Sequence, residues 1–313
     1  MSLVDEWRER GVITAAQARK LGEIDSGRLF SLYNEIRTLF YLGVAFLVAG
    51  AAATVKKHFH ELGEPAILTV LFGAIGMSWG YCFKRALPYS SKSVPSPTSA
   101  YDYLLYLGCA LLGVLFGYLE VQHHLFKEYW DFYLLISGVL FFFLAYRFDN
   151  RFVLALGLIN LAGWWGLRFA HWDVPGLSWE TRALTFGLAA IVAGLATAFF
   201  EVKRHFESVY LTAGLHAVYW ALLPGVFRDG LTGIDFYGLI TLSGATIFFA
   251  RKRRQFSYFL YAVAYGYIAG CWAILKALEL RASTDAALFL LLSATAVIVG
   301  LLAVRRQFEQ DNS

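Results

Sequence analysis

The chain is poor in charge and in cysteine. Of its 313 residues only 16% are charged, whereas a soluble domain carries about 25%. Its three cysteines, Cys82, Cys109 and Cys271, each lie in or beside an apolar segment, where a thiol behaves as a small hydrophobic group. An odd number of cysteines in apolar surroundings predicts neither a disulfide framework nor a thiolate metal site.

The sequence also lacks several short motifs of catalytic sites. It has no glycine-rich phosphate loop, no HExxH helix and no CxxC pair. Outside its apolar segments it has no stretch above about 40 residues that could fold as a separate soluble domain. We therefore predict that the protein is not an enzyme, has no catalytic residues and carries no cofactor.

Apolar sequence is abundant: 58% of the residues are hydrophobic and the mean hydropathy is +0.54. A helix needs about 17 to 25 apolar residues to cross a bilayer, because its backbone polar groups must be bonded internally there. Ten segments approach this length, of which the fourth and eighth are short: 38–55, 65–83, 103–121, 132–146, 152–170, 182–200, 208–227, 236–250, 256–277 and 286–304. We predict an all-α integral membrane protein with about ten transmembrane helices in one bundle, with the lipid bilayer as its main partner.

The basic residues indicate an orientation. With ten spans, 19 of the 27 Lys and Arg residues fall on the face that both termini share. Because Lys and Arg near segment ends stay on the cytoplasmic side, both termini are predicted to be cytoplasmic and the location to be the inner membrane. The run RKRR at 251–254 is then a membrane anchor, and no nucleic-acid partner is expected.

The chain repeats itself. DFYLLISGVLFFFLAYRFDNRF at 131–152 aligns without gaps with DFYGLITLSGATIFFARKRRQF at 235–256, and seven of 22 positions are identical at an offset of 104. A third unit fits between them, so the period is about 52 residues, or one helical hairpin. The sequence therefore predicts parallel repeats of a hairpin.

Small residues four positions apart predict close helix contacts, since apolar side chains gain little by leaving lipid. These residues are Gly76 and Gly80, Gly113 and Gly117, Ala190, Gly194 and Ala198, and Gly266 and Gly270.

Five segments are predicted along the chain. A cytoplasmic helical hairpin covers 1–37, a two-span unit 38–85, a flexible cytoplasmic linker 86–102, an eight-span bundle of repeated hairpins 103–304 and a cytoplasmic tail 305–313. The linker prediction depends on the three prolines and five serines of ALPYSSKSVPSPTSAYD.

The N-terminal hairpin carries a family resemblance. In EWRERGVITAAQARKL, Thr14 is a predicted helix N-cap and Gln17 completes a capping box. Together with NEIRTLFYLGVAFLVAGAAATV this sequence resembles the bacterial predicted membrane proteins of domain of unknown function 2157, over residues 1 to about 85. The matching residues are Trp7, Gly11, Ile13, Thr14, Gln17, Ala18, Gly43 and Gly50. The resemblance implies a bacterial protein with several spans and, because the family's function is unassigned, no activity.

One histidine lies inside an apolar segment. In ESVYLTAGLHAVYWALL at 207–223 it is His216, and a shift of 56 residues aligns Asn160 with it. Such a histidine either bonds a neighbouring group and supports helix packing, or lines a central cavity with Asn160, Tyr265 and Tyr267 that binds a small polar ligand or headgroup. Bis-histidine haem ligation is disfavoured, because the other six histidines lie in or near loops.

Histidines also gather at the predicted outer face. His58, His60, His123 and His124 lie there near several carboxylates, which is a ligand set that zinc or copper would accept. Their spacing matches no recognised ligand motif, so amphipathic surface is the alternative interpretation.

No Asp, Glu, Lys or Arg falls in the middle of a predicted span. An ion-coupled transporter is expected to keep at least one. The sequence therefore favours an accessory or structural subunit of a membrane assembly, with other membrane subunits as partners. The alternative is an uncoupled transporter or lipid-handling protein with a polar cavity around Asn160 and His216, whose ligand the sequence does not identify.

Overall fold

The described part of the computed structural model comprises residues 13–15, 17–18, 33–124, 129, 131–171, 178–279 and 284–310. Within these residues the backbone forms ten α-helices of 17 residues or more and no β-strand. They are α1 (Tyr33–Leu62), α2 (Glu64–Arg85), α3 (Ser99–His123), α4 (Phe132–Phe148), α5 (Arg151–His171), α6 (Trp179–Phe199), α7 (Glu207–Asp229), α8 (Ile234–Arg253), α9 (Phe256–Ala277) and α10 (Thr284–Gln310). Short 3-10 helices, Arg204–Phe206 and Gly230–Thr232, flank α7.

Each of the ten predicted apolar segments falls on one of these helices. Six are long and apolar enough to cross a membrane, namely α2, α3, α6, α7 with its flanking turns, α9 and α10; α4 and residues Thr38–Thr54 of α1 are shorter apolar helices. The prediction of an all-α protein with several candidate spans is confirmed for the described residues.

The chain divides into two compact units. One is Leu39–Leu222, called the 39–222 unit; the other combines Leu223–Ser313 with Met1–Thr38 and is called the 223–313 unit. The division falls within α7, one residue before the proline inside that helix, Pro224, which cannot donate a helix hydrogen bond. The segment boundaries predicted from the sequence were placed at the repeats and at the end of the family resemblance, not at the edges of compact units. The division into two units therefore does not test them, and they stay predictions.

The 39–222 unit has a core formed by α2 to α5 and the start of α7. Leu105, Leu144, Val153 and Phe206 are completely or almost completely buried in it. The α4–α5 hairpin packs closely because of its glycines: a Cβ on Gly138 would lie 2.7 Å from Leu161 Cδ2. A side chain at that position would overfill the hairpin.

α6 and α7 approach each other closely at a pair of glycines. A Cβ on Gly187 would lie 2.8 Å from the Gly214 carbonyl oxygen, and a Cβ on Gly214 would lie 2.7 Å from the Gly187 carbonyl oxygen. The four-residue spacing of small residues in the sequence predicted some close contacts correctly but not others. A Cβ on Gly194 would lie 2.9 Å from Tyr210 Cβ, which is a close contact. In contrast, a Cβ on Gly76, Gly80, Gly113 or Gly117 would meet no atom within 4 Å.

The 223–313 unit contains the α8–α9 hairpin. Small buried residues of α9, Ala262, Ala269 and Ala273, permit the close approach of its neighbours. The turn passes through Arg254 in the left-handed conformation, with φ 52°, as the α4–α5 turn passes through Asp149, with φ 57°. These two residues are 105 positions apart, whereas the offset of the sequence alignment is 104. The two turns therefore differ by one position from the register of the alignment.

The N-terminal segment is described only at residues 13–15, 17 and 18. The predicted capping box is confirmed there: the Thr14 N–H donates to Gln17 Oε1 at 2.8 Å, and the Gln17 N–H donates to Thr14 Oγ1 at 3.3 Å. The rest of the predicted hairpin up to residue 32 lies outside the described residues.

Candidate functional site

The four residues of the predicted central cavity fall in both units. Asn160 donates through Nδ2 to the carbonyl oxygen of Leu156, one turn earlier on α5, at 2.8 Å. His216 is half-buried on α7 in the same unit. Tyr265 and Tyr267 lie on α9 in the other unit, where the Tyr267 hydroxyl is 3.0 Å from Ser293 Oγ. A shared cavity of all four stays a prediction.

The outer histidines are placed as follows. His58 and His60 are on α1, but their side chains lie outside the described residues. His123 Nε2 is 2.5 Å from Glu64 Oε1, and His124 ends α3 in the left-handed conformation with φ 47°. Among the side chains that the structure describes, no three His, Cys, Asp or Glu converge on a point that could hold a metal ion. Metal binding stays a prediction.

The sequence also contains one short motif that is typical of a catalytic site. Gly76-x-Ser78-x-Gly80 has the GxSxG pattern of a nucleophile elbow. An elbow requires a sharp turn from a strand into a helix, so that the serine is exposed. Here the pattern lies within the continuous helix α2, and Ser78 is only 5% exposed. This serine is therefore not placed as a nucleophile.

An extensive buried polar group surrounds Asp149. This residue is in the α4–α5 turn, and its carboxylate is 2% exposed. Its Oδ1 lies 3.1 Å from Nζ of Lys203, which is 1% exposed, and 2.5 Å from Nε2 of His205. Both partners belong to the turn between α6 and α7. We call Asp149, Lys203 and His205 the Asp149 centre; it joins two turns that are more than 50 residues apart in sequence.

The Asp149 centre also holds the segment 86–98, which connects α2 to α3. The Val94 N–H donates to Asp149 Oδ2, and the Lys203 N–H donates to the Ser91 carbonyl oxygen at 2.7 Å. A further bond runs from Arg147 Nη1 to the Leu87 carbonyl oxygen at 3.1 Å. The predicted flexibility of this connection stays a prediction, but its backbone is bonded to residues of both turns.

Asn150 extends the polar group to the first turns of α3. Its Nδ2 donates to Asp102 Oδ1 at 2.9 Å and to the Tyr106 hydroxyl at 3.0 Å. Its Oδ1 accepts from the N–H groups of Phe152 and Val153, at 3.0 and 3.1 Å, and so caps α5. Both donors and both acceptor positions of the amide are used.

The chemistry of the Asp149 centre is that of a structural connection. Both oxygens of this buried carboxylate have partners, namely the lysine and the imidazole at Oδ1 and a backbone N–H at Oδ2. Ser208 Oγ, three residues after His205, donates to the His205 carbonyl oxygen at 3.3 Å. The sequence did not predict this centre, because Lys203 was counted only among the basic residues that indicate the orientation in the membrane. The signal that could have identified it is the polar pair Asp149–Asn150 at the end of a helix.

Comparison with known proteins supports the membrane assignment. Residues 5–154 match the family model described as predicted membrane protein, domain of unknown function 2157. The predicted resemblance is confirmed, and it extends past residue 85 through α4 to the first turn of α5. No curated protein and no solved structure matches the chain.

Proposed function

We propose that this chain, whose N-terminal half matches a family of predicted membrane proteins, is a multi-pass protein of the bacterial inner membrane in which all ten helices cross the bilayer. Both termini face the cytoplasm, and the helices form repeated hairpins. It has no catalytic activity of its own and serves as an accessory or structural subunit of a membrane assembly.

The surface of α10 is the observation that carries this proposal. The 18 consecutive residues that make it a candidate span include none that is buried within the chain. Leu291, Leu292 and Val299 are between 60 and 68% exposed. An apolar helix with so little contact to its own chain is suited to a lateral contact with another transmembrane helix. The Asp149 centre also supports the proposal, because its polar side chains bond to one another and to neighbouring backbone groups, as expected of a structural connection.

Topology reporters test the ten-span arrangement. A periplasm-active enzyme and a cytoplasm-active fluorophore are fused after His124 and after Arg204, and at both termini of the full chain. If α4, α5 and α6 all cross, the two internal fusions report opposite sides, since three crossings separate them. Equal signals at the two internal positions would contradict the proposal for these helices.

Site-specific photo-crosslinking tests the subunit role. A photoreactive phenylalanine analogue replaces Leu291 on α10, and Leu105, which is fully buried on α3, serves as the matched control. We expect a discrete adduct with a second membrane protein from the Leu291 position only, identified by mass spectrometry of membranes from cells with natural expression levels. Adducts with lipid alone would reject the subunit role.

The same preparations test the alternative, an uncoupled transporter or lipid-handling protein with a polar cavity around Asn160 and His216. Reconstituted vesicles that move a solute or lipid, with movement lost in His216→Leu, would replace the subunit proposal by this alternative.

A further inference from the structure

Four consecutive basic residues lie at the turn between α8 and α9. Arg251, Lys252 and Arg253 belong to the last turn of α8, Arg254 follows in the connection, and all four are exposed. The candidate span α9 begins at Phe256, two residues after Arg254. The basic run therefore lies where a membrane-spanning helix leaves the hydrocarbon, at the depth of the lipid headgroups.

α10 brings a fifth exposed basic residue to the same end of the 223–313 unit. Phe308, in the last turns of α10, is buried, and its ring centroid lies 5.9 Å from that of Phe256 and 5.8 Å from that of Phe259. Arg305 is exposed one turn before Phe308, and the candidate span in α10 ends at this residue. Two candidate spans thus end beside each other at basic residues. We call the following five residues the basic end: Arg251, Lys252, Arg253, Arg254 and Arg305.

The opposite ends of the same helices have no excess of positive charge. The connections 228–235 and 276–285 contain three basic and four acidic residues. By contrast, the segments 251–255 and 305–313 contain six basic and two acidic residues. Because a patch of one sign raises the local concentration of the opposite sign, this asymmetry favours an anionic partner at one end of the unit.

Exposed apolar residues lie one turn from the basic residues. Phe248 is 72% exposed and precedes Lys252 by four residues on α8, and Leu302 is 55% exposed and precedes Arg305 by three residues on α10. Residues three or four apart share a helix face. Each face therefore has an apolar surface with a cation at its edge, which matches the acyl chain and the phosphate of a phospholipid. A nucleic acid would use only the cations.

We propose that the basic end binds the headgroups of anionic phospholipids. The phosphates contact Arg251, Lys252 and Arg305, and the acyl chains lie against Phe248 and Leu302. Clusters of four or more Lys or Arg residues directly beyond a membrane helix attract anionic lipids, and the planar guanidinium suits phosphate oxygens. The inference goes beyond the subunit role and does not depend on it; it requires only that α9 and α10 cross the membrane.

A comparison of two lipids tests the proposal on the unmodified protein. Native mass spectrometry measures lipid bound to the purified full chain in detergent, with phosphatidylglycerol and phosphatidylcholine of the same acyl chains. We expect phosphatidylglycerol to bind at least about tenfold more tightly at low salt. Because salt screens exposed charges, this preference should fall as the ammonium acetate concentration rises. Equal binding of the two lipids, or a preference that salt leaves unchanged, overturns the proposal.

A single-stranded oligonucleotide tests the other class of polyanion. It is added to the protein with bound phosphatidylglycerol at an equal concentration of the two ligands. Retention of the lipid supports the proposal, because the lipid also contacts the apolar residues. Displacement of the lipid would assign the basic end to nucleic acid and overturn the proposal.

Variants of exposed residues assign the preference to the basic end. Lys252→Gln and Arg251→Gln each remove one charge, and each is expected to lower the preference for phosphatidylglycerol about fivefold. Arg228→Gln is the matched control, because Arg228 is 68% exposed but its Nε lies 3.2 Å from Asp229 Oδ2. Its neighbouring carboxylate already offsets the charge, so this control should change the preference by less than about twofold.

The pattern across these variants decides the outcome, once circular dichroism has verified that each is folded. A loss of preference in Lys252→Gln or Arg251→Gln without a loss in Arg228→Gln supports the proposal. A preference unchanged in both variants of the basic end rejects it. An equal loss in the control also rejects it, because the net charge of the chain would then account for lipid binding.

Discussion

Replacing Asp149 by asparagine removes the charge against which Lys203 is buried. Among the described residues, Lys203 Nζ would then have the neutral amide at 149, the Lys92 carbonyl oxygen at 3.4 Å and the ring of Tyr89 at 5.2 Å, but no opposite charge. Removing one partner of a buried ion pair costs about 3 to 5 kcal/mol, because the other charge stays buried without compensation. Since whole domains are stable by only about 5 to 15 kcal/mol, Asp149→Asn is expected to remove a large part of the stability of the 39–222 unit.

The reciprocal variant distinguishes the charge effect from general damage to the turn. In Lys203→Met, Asp149 still has the His205 imidazole and the Val94 N–H, so we expect a smaller loss of about 2 kcal/mol. The double variant leaves neither charge of this pair behind. It is expected to be more stable than the sum of the two single effects predicts, by at least about 1 kcal/mol.

An exposed pair of similar geometry is the matched control. Arg228 Nε lies 3.2 Å from Asp229 Oδ2, but these side chains are 68 and 39% exposed. Because surface pairs contribute about 0 to 1 kcal/mol, Asp229→Asn should change the free energy of unfolding by less than about 1 kcal/mol. Reversible unfolding in mixed micelles measures the free energy of unfolding of all variants. The comparison requires that the slope of this free energy against denaturant concentration is the same for each variant. An Asp149→Asn protein as stable as Asp229→Asn, or additive single effects, would refute the reasoning.

Three other outcomes are expected. Gly187→Ala should lower the free energy of unfolding by about 1 to 3 kcal/mol through overpacking, while Gly113→Ala, where a Cβ meets nothing within 4 Å, should change it by less than about 0.5 kcal/mol; equal effects would contradict the packing argument. Limited trypsin digestion should cut after Lys92 faster in Asp149→Asn than in the wild type, because the Val94 N–H would then bond a neutral amide instead of a carboxylate, and the amide is a weaker acceptor; equal rates would show that this segment does not depend on the carboxylate. His216→Leu should insert and melt like the wild type if the histidine only supports packing, and loss of a co-purifying small molecule from a folded variant would favour the cavity instead.

The helices were largely predictable because lipid imposes a local requirement. A segment whose backbone must bond internally becomes a helix wherever enough apolar residues follow one another, and each of the ten predicted segments lies on a helix. The capping box at Thr14 and Gln17 was predictable for the same reason, since its partners are three residues apart. Close contacts were predicted less well: the glycines at 76 and 80 face open space, whereas Gly187 and Gly214 touch. A spacing pattern describes one helix and does not specify its neighbour.

The sequence by itself determined the helical class, the approximate helix positions and the family likeness of the N-terminal half, because these depend on composition and on residues close in the chain. Only the tertiary structure decided which ionisable residues are buried. Lys203 and Asp131 look like ordinary residues of short connections in the sequence, yet one is 1% and the other 0% exposed. Their burial depends on which turns meet: Asp149 and Lys203 are 54 residues apart, and Asp131 and Arg168 are joined only when α4 packs against α5.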